Sequence, residues 1–308
     1  MLRLLLITLL CLNLGSTHAQ QTYQDVLKDS LGWKTEVLNE GLIHFTYEGY
    51  YNPMESKQRI DVLLVDLDKN ALVFDDDLKR DSLSTRVQKF EGALAAINGT
   101  YYEIAKTAEG DSLYSSFFKK DGKISTSVTV PQGHRLFWKH EGAFYYDREM
   151  DTTGIIYGDS KTYDALPYAN GMSGSPMLIF NHKPVGETFA KEQDVPLDSL
   201  DYEHPDRHQG VRHPRTALAL TDEDYLLLIT VDGRRPETAG MSAKELTQFI
   251  QKYFQPKHAL NIDGGGSTTM WIKGAATPNE VVNYPTDNKQ YNHFGQRLIR
   301  NAIIVIGK

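Results

Sequence analysis

One stretch concentrates residue types that could do chemistry: Asn261-Ile262-Asp263-Gly264-Gly265-Gly266-Ser267-Thr268-Thr269. A carboxylate stands against three glycines and three hydroxyls, and an apolar segment, Ala259 to Ile262, leads into it. Glycine brings no side chain, so a run of it beside an Asp marks a sharp turn or a close backbone approach. Alone, such a run is first of all a tight turn between strands. Its company changes that. Asn98-Gly99 and Asp232-Gly233-Arg234-Arg235 also follow apolar runs, while Gly171-Met172-Ser173-Gly174-Ser175 and Arg212-His213-Pro214-Arg215-Thr216 precede them. Gathered at one sheet rim, these clusters would offer two carboxylates, several arginines, hydroxyls and backbone amides. Arginine holds phosphate oxygens in a bidentate fork, and a Gly-rich backbone forms an anion nest. The donor set suits a small anionic phosphate ligand.

Other chemistries fit less well. The glycine run lacks the G-x-G-x-x-G spacing of a dinucleotide site, and no Gly-Lys-Ser/Thr follows it. Gly171 to Ser175 resembles G-x-S-x-G but ends in Ser175 and leads into a strand, not a helix. His204 and His208 are four apart, with His213 nearby, the spacing of metal ligands on a helix. Pro205 interrupts them, so a solvated polar loop is expected there and no metal is assigned. Asp66, Asp68 and Asn70 partly match a calcium loop, but the Gly and Glu of that motif are missing. Apolar runs on both sides of the turn predict a hairpin instead.

The elements that must position these residues are mainly strands. Gly41 to Tyr51, Ile60 to Leu67, Ala71 to Phe74, Phe137-Trp138, Phe144 to Tyr146 and Ala302 to Ile306 read as strands. Leu94 to Ile97 is wholly apolar and is predicted to be buried on both faces. Thr216 to Leu220 and Tyr225 to Val231 form a hairpin about Thr221 to Asp224. Asp25 to Leu31 and Ser84 to Phe90 read as short helices. The clearest helix opens at Ser242-Ala243-Lys244-Glu245, a capping box. Leu246, Phe249, Ile250, Tyr253 and Phe254 give it one apolar face, and Pro256 stops it. With its flanking strands, it makes the one unit that resembles a parallel crossover. Asn181 to Pro214 is a long polar stretch of the kind that forms lids or binding loops. The fold class expected is α+β: a single domain of mixed, mostly antiparallel sheet with a few packed helices.

Composition bounds the partners. A 308-residue chain with 40% hydrophobic residues can build a sizeable core. A net charge of −7 with no long basic run argues against nucleic acid. Met1-Leu2-Arg3, the apolar run Leu4 to Leu14 and Thr17-His18-Ala19 have the layout of a signal peptide over residues 1–19. The chain is therefore expected to be secreted or periplasmic, with no membrane span once the signal is removed. Cys11 lies inside the signal, so the mature chain has no disulfide and no thiolate.

The ordered clusters resemble the phosphodiester glycosidase family: Asn98-Gly99, Ser173-Gly174-Ser175-Pro176, Pro214-Arg215-Thr216-Ala217, Asp232-Gly233, Gly240-Met241, Asn261 to Ser267, and Tyr284-Pro285 before Arg300. The resemblance runs from Arg59 to Ile306, which makes 20–58 an N-terminal extension and 59–308 the catalytic domain. It implies hydrolysis at the anomeric carbon of a sugar-phosphate-sugar diester, with release of N-acetylglucosamine and no cofactor. Its partner is a small-molecule or glycan phosphodiester. Arg212, Arg215, Arg234 and the amides of Gly264, Gly265 and Gly266 are the groups expected to hold the departing phosphate. Asp263, and after it Asp232, would support the anomeric carbon or activate water. Asn98, Ser173, Gly174, Ser175, Thr216, Asn261, Ser267 and Thr269 are expected to hydrogen-bond the substrate. Asn98 also opens an N-x-T sequon with Thr100. A metal-dependent phosphodiesterase cutting P–O and a non-catalytic binder of phosphorylated glycans are the alternatives.

Overall fold

A computed structural model describes residues 32–102, 104–188 and 196–308. The signal segment 1–19 and the short helix expected at 25–31 lie outside the described residues. Strands are numbered along the chain. A central antiparallel sheet has the spatial order β1 (Trp33–Asn39), β2 (Leu42–Tyr51), β3 (Ser56–Asp66), β15 (Tyr225–Val231), β14 (Arg215–Leu220), β16 (His258–Asn261) and β13 (Met177–Phe180). A second sheet runs β17 (Met270–Ile272), β5 (Ala93–Asn98), β18 (Ile299–Gly307) and β4 (Asn70–Asp81). A third runs β11 (Thr152–Tyr157), β10 (Gly142–Asp147), β12 (Asn170–Gly174), β8 (Phe118–Lys120) and β9 (Lys123–Thr126). A small ribbon pairs β6 (Ile104–Lys106) with β7 (Ser112–Tyr114). Pairing is antiparallel throughout the described residues, as in the hairpin β14–β15.

Alternation places the core on both faces of the central sheet. Tyr225, Leu227, Ile229 and Val231 pack with Leu246, Phe249, Ile250 and Phe254 of the long helix Ala243–Phe254. Leu226 and Leu228 turn the other way, onto Phe74, Ile97, Phe144 and Ile303 of the other two sheets. Burying each of these large side chains favours folding by about 1.5–3 kcal/mol. β5 is covered on both faces as expected, Ala95 and Ile97 on one side and Ala93 and Ala96 on the other. The capping box forms: Ser242 Oγ accepts from the Glu245 amide, and Glu245 accepts from the Ser242 amide. No helix among the described residues is long and apolar enough to cross a membrane.

Several local expectations change. β3 and β4 are not a hairpin: β3 pairs with β2 and β15, whereas β4 pairs with β18. β3 is largely buried and β4 is buried over its first half, so the turn hands the chain from one sheet to another. Asn70 Nδ2 fixes that turn by donating to the Gly41 and Asp66 carbonyls. β15 and β16 both run antiparallel to β14, which lies between them, so the helix crosses over an intervening strand. Phe137–His140 is a 3-10 turn, not a strand. Gly171 to Gly174 lie within β12, not in a loop. Pro205–Gly210 is helical despite its proline, because Pro at the first helical position removes only an amide that has no partner there. The break drawn at residues 58 and 59 falls inside β3, whose register with β2 runs from Ser56 opposite Tyr51 to Val65 opposite Leu42.

Candidate active site

The polar clusters do meet at one end of the central sheet. Arg215, which opens β14, stands opposite Val231, the last residue of β15, and Ala217 stands opposite Asn261 at the end of β16. Their glycines allow this convergence. A Cβ on Gly264 would lie 2.7 Å from the Pro214 carbonyl oxygen, and one on Gly240 would lie 2.6 Å from the His213 carbonyl. The segments therefore touch backbone to backbone around His213-Pro214.

Most of the polar side chains brought together there are spent on holding the loops. Asn98 is 1% exposed. Its Nδ2 donates to the carbonyls of Asp263 at 2.8 Å and Gly99 at 3.1 Å. Its Oδ1 accepts from Thr216 Oγ1 at 3.0 Å and from the Thr269 amide at 3.1 Å. Two donors and two acceptors saturate a carboxamide, so Asn98 braces the Asp263 loop and has no group left for a sugar. Asn261 Nδ2 donates to the Ser175 and Ile262 carbonyls. Ser173 Oγ accepts the Phe117 amide, and Gly174 packs against the Asn261 carbonyl. Thr216 also donates toward Thr268, while Thr269 and Ser175 are buried. Asn98, Ser173, Thr216 and the Asn261 amide nitrogen, all expected at the substrate, thus brace the frame behind the site, whereas Thr269 Oγ1 and Asn261 Oδ1 are buried with no hydrogen-bond partner.

Asp232 is likewise turned inward and is 1% exposed. Its carboxylate accepts from Asn283 Nδ2 and the Tyr284 amide, both at 2.8 Å. Asn283 in turn holds the Met270 amide and the Thr268 carbonyl, supporting the glycine loop from beneath. Burial, reinforced by Asp61, pushes the Asp232 carboxyl up to about 7, against the pull of its hydrogen bonds and Arg59. Position and partners make it a brace, not the expected second catalytic carboxylate.

The arginines divide sharply. Arg215 is 0% exposed, and its guanidinium donates to the carbonyls of Met241 and His208 at 2.8 Å and of Val211 at 3.2 Å. It ties down the carbonyl end of the helix Pro205–Gly210, where carbonyls lack helical partners. Burial pushes its pKa down to about 10. Arg212 is engaged by Glu245 at 2.5–3.1 Å and by the Met54 carbonyl, which binds it to the long helix. Both are thus bound largely to the protein itself, although Arg215 Nη1 is buried with no hydrogen-bond partner. Arg234 and Arg297 behave differently. An Arg234 nitrogen lies 3.2 Å from where a Gly265 Cβ would be, and an Arg297 nitrogen lies 2.4 Å from that point on Gly266. Two guanidinium groups thus rest on two successive glycines. Arg234 donates to the Tyr202 hydroxyl at 2.7 Å, and Arg297 to Asp287 at 2.6 and 2.9 Å.

Asp263 is 8% exposed beside this pair. Burial first, then the Asp263 charge, raises the Tyr102 phenol. Desolvation would lower Arg297, but Asp287 and then Asp263 raise it. Ser267 lies at the Tyr102 hydroxyl. The expected nest of glycine amides is partly consumed, since Gly265 donates to the Pro214 carbonyl at 2.8 Å and Ser267 to that of Gly264. Two guanidinium groups from outside the loop, Arg234 and Arg297, lie on it where the nest was expected. Arg297 was missed in the sequence, although it precedes an apolar run just as Arg212 to Thr216 does.

The histidines are not in a solvated loop. His208 packs against Trp138 and His213 with ring centres 4.6 Å apart in each case. Burial, and then neighbouring positive charge, holds both well below the usual imidazole range. No cluster of three metal-ligating side chains occurs among the described residues. Beside Arg234 lies a cavity of about 360 Å³, lined by Asp198, Tyr202, Arg207, His208, Val211, Arg212, His213 and Arg234.

Comparison with known proteins adds context to this geometry. A family model described as phosphodiester glycosidase matches residues 91–306. The chain is 25% identical over 173 residues to a mouse protein named N-acetylglucosamine-1-phosphodiester alpha-N-acetylglucosaminidase, covering 56% of this chain and 30% of that one. The human protein of that name is 28% identical over 141 residues, covering 46% and 25%. The chain thus spans less than a third of the length of these relatives. In fold it is similar to the zebrafish catalytic domain of that name, auto-inhibited by its pro-peptide. The TM-score is 0.62 at 18% identity, over 91% of this chain and 85% of the other. A hypothetical protein from Synechocystis matches with a TM-score of 0.53 at 14% identity, over 91% and 64%.

Proposed function

This chain belongs to the phosphodiester glycosidase family, and we propose that it is an exported enzyme that cleaves the anomeric C–O bond of sugar-phosphate-sugar diesters, N-acetylglucosamine being the sugar released. The observation that carries the proposal is Asp263 beside Gly265 and Gly266, with Arg234 and Arg297 lying on those two glycines. A phosphodiester is a permanent anion at neutral pH. Two guanidinium groups would hold its oxygens and stabilise the charge that grows as the bond breaks. In the reaction the C1–O bond breaks and its electron pair leaves with the phosphate as a monoester. Water adds to C1 and loses a proton. A phosphate monoester leaves readily, so the site needs little general acid. It needs one carboxylate to support positive charge at C1 or to activate the water, and Asp263 fills that role. Tyr102 and Ser267 line the same side and would orient the sugar. Export rests on the signal-like residues 1–19, and N-terminal sequencing of the released chain checks it.

Hydrolysis of a GlcNAc-α-1-phosphodiester in oxygen-18 water should place the label in the sugar, and label in the phosphate would sink the glycosidase assignment. Asp263→Asn should abolish turnover while leaving the thermal unfolding profile intact. Near-normal turnover in that variant would remove Asp263 from the role. Activity should survive excess chelator, whereas its loss would favour a metal-dependent phosphodiesterase.

A further inference from the structure

We infer that the cavity beside Arg234 is the subsite for the leaving group, and that it selects a leaving group bearing a second anionic charge. The inference rests on the proposed site. Asp263 faces the anomeric carbon and Arg234 holds the phosphate, so the other ester branch must continue past Arg234. The Arg234 guanidinium lies on Gly265, and Nη2, its nitrogen nearest that glycine, also donates to the Tyr202 hydroxyl on the cavity wall. Arg234 adopts φ +62°, a left-handed conformation uncommon for a non-glycine residue. The loop Asp232-Gly233-Arg234 is thus shaped to place this side chain between the two spaces.

The walls state the chemistry of the occupant. Arg207 lies over the Tyr202 ring at 5.6 Å and gives one N–H to the Leu200 carbonyl at 2.9 Å. A guanidinium has five donors in all, so most of its hydrogen-bonding capacity is left for the cavity. His208 and His213 are held neutral and add no charge of their own, which leaves the arginines as the cations of the lining. Arg212 is matched by Glu245, and Asp198 is the one carboxylate of the lining. Two arginines, Arg207 and Arg234, therefore face one acid. The 360 Å³ volume falls in the range of small-molecule sites. Of these two cavity arginines a monoanionic diester engages Arg234 only, whereas a leaving group with its own phosphate or carboxylate would also engage Arg207. Tyr202, 54% exposed, is the face on which a polyol or sugar carbon skeleton would lie.

The test compares GlcNAc-α-1-phosphate diesters of glycerol, of glycerol phosphate and of glycerate. The wild type should prefer the two charged leaving groups by about five- to tenfold in kcat/KM, the range expected of one charge-assisted bidentate contact. The ratio of the phosphate to the carboxylate arm identifies the second anion. Raising the salt concentration should shrink the preference. In Arg207→Gln the preference should fall to about one, and Arg207→Lys should restore part of it. Equal or inverse selectivity in the wild type would overturn the subsite while leaving the glycosidase standing. If no diester is turned over, calorimetry still decides. Glycerol bisphosphate should bind more tightly than glycerol 1-phosphate, and Arg207→Gln should erase the difference. No such difference in the wild type also overturns the subsite.

Discussion

At the scale of single residues, two arginines that each meet the glycine loop, at Gly264 and at Gly266, are expected to fail in opposite ways. Arg297→Gln removes a cation that lies on Gly266 and leaves Asp287 exposed to water. Its kcat/KM on a phosphodiester should fall on the order of 10²–10³, as when one group that stabilises developing charge is lost. Its unfolding midpoint should barely move. Arg215→Ala instead strands several buried carbonyls at the end of the helix Pro205–Gly210. Chemical denaturation should show a loss of about 3 kcal/mol, and proteolysis should cut first near residues 205–212. Had Arg215 been the phosphate ligand, the two variants would exchange phenotypes. The sequence distinguishes neither arginine, because both are basic residues at the start of apolar runs. What separates them is whether buried backbone carbonyls or a half-exposed carboxylate, Asp287, meet the guanidinium, and for Arg215 that depends on how the chain folds back around it.

At the scale of elements, the glycine loop combines two structural demands. Gly264 touches backbone, whereas Gly266 touches the ends of two side chains. Gly264→Ala would put a methyl 2.7 Å from the Pro214 oxygen, which cannot yield. It should cost about 2–3 kcal/mol in a denaturation experiment. Gly266→Ala would press on Arg297 at 2.4 Å and Asp287 at 2.5 Å, and both can swing away. It should fold normally and lose at least about tenfold in kcat/KM, consistent with a misplaced charge contact. The loop, the capped helix and the hairpin after Arg215 were all legible in the sequence because each has a local cause: glycines, a capping box, alternation about a turn. The failures were of two kinds. Local signals were misjudged where Pro205 starts a helix and Phe137-Trp138 turns. Tertiary pairing decided where β3 and β4 go, and two apolar runs flanking a turn cannot show which sheet each one joins. For the same reason the sequence does not show that Asn98 and Asn261, expected at the substrate, and Asp232, expected as a second catalytic carboxylate, hydrogen-bond a buried frame. Polar residues at strand ends look alike whether they face a ligand or a neighbouring carbonyl.

At the scale of the whole molecule, buried titratable groups set how stability follows pH. The Asp232 carboxyl is raised from 3.8 to about 7 on folding. The folded state therefore binds the extra proton between those values, and stability falls as pH rises through that window and levels off above it. The expected loss between pH 5 and pH 8 is on the order of 2–3 kcal/mol. His208 and His213 act in the opposite sense, since imidazoles held neutral by burial destabilise the fold as pH drops below 6.5. Urea melts of the wild type and Asp232→Asn at pH 5 and pH 8 separate the two, because only the wild type should show the Asp232 component. The handover of chain between sheets at residues 66–70 has a further consequence, for how the protein can be cut. The family-matched region begins at residue 91, yet β15 pairs with β3 and β18 with β4, both of which lie before it. A fragment of residues 91–306 would bare one edge of Tyr225-Leu226-Leu227-Leu228-Ile229-Thr230-Val231, a strand with no charge, proline or glycine. Such an edge is a template for further strands. That fragment should gather into thioflavin-binding aggregates, whereas a chain retaining residues 32–90 should stay dispersed.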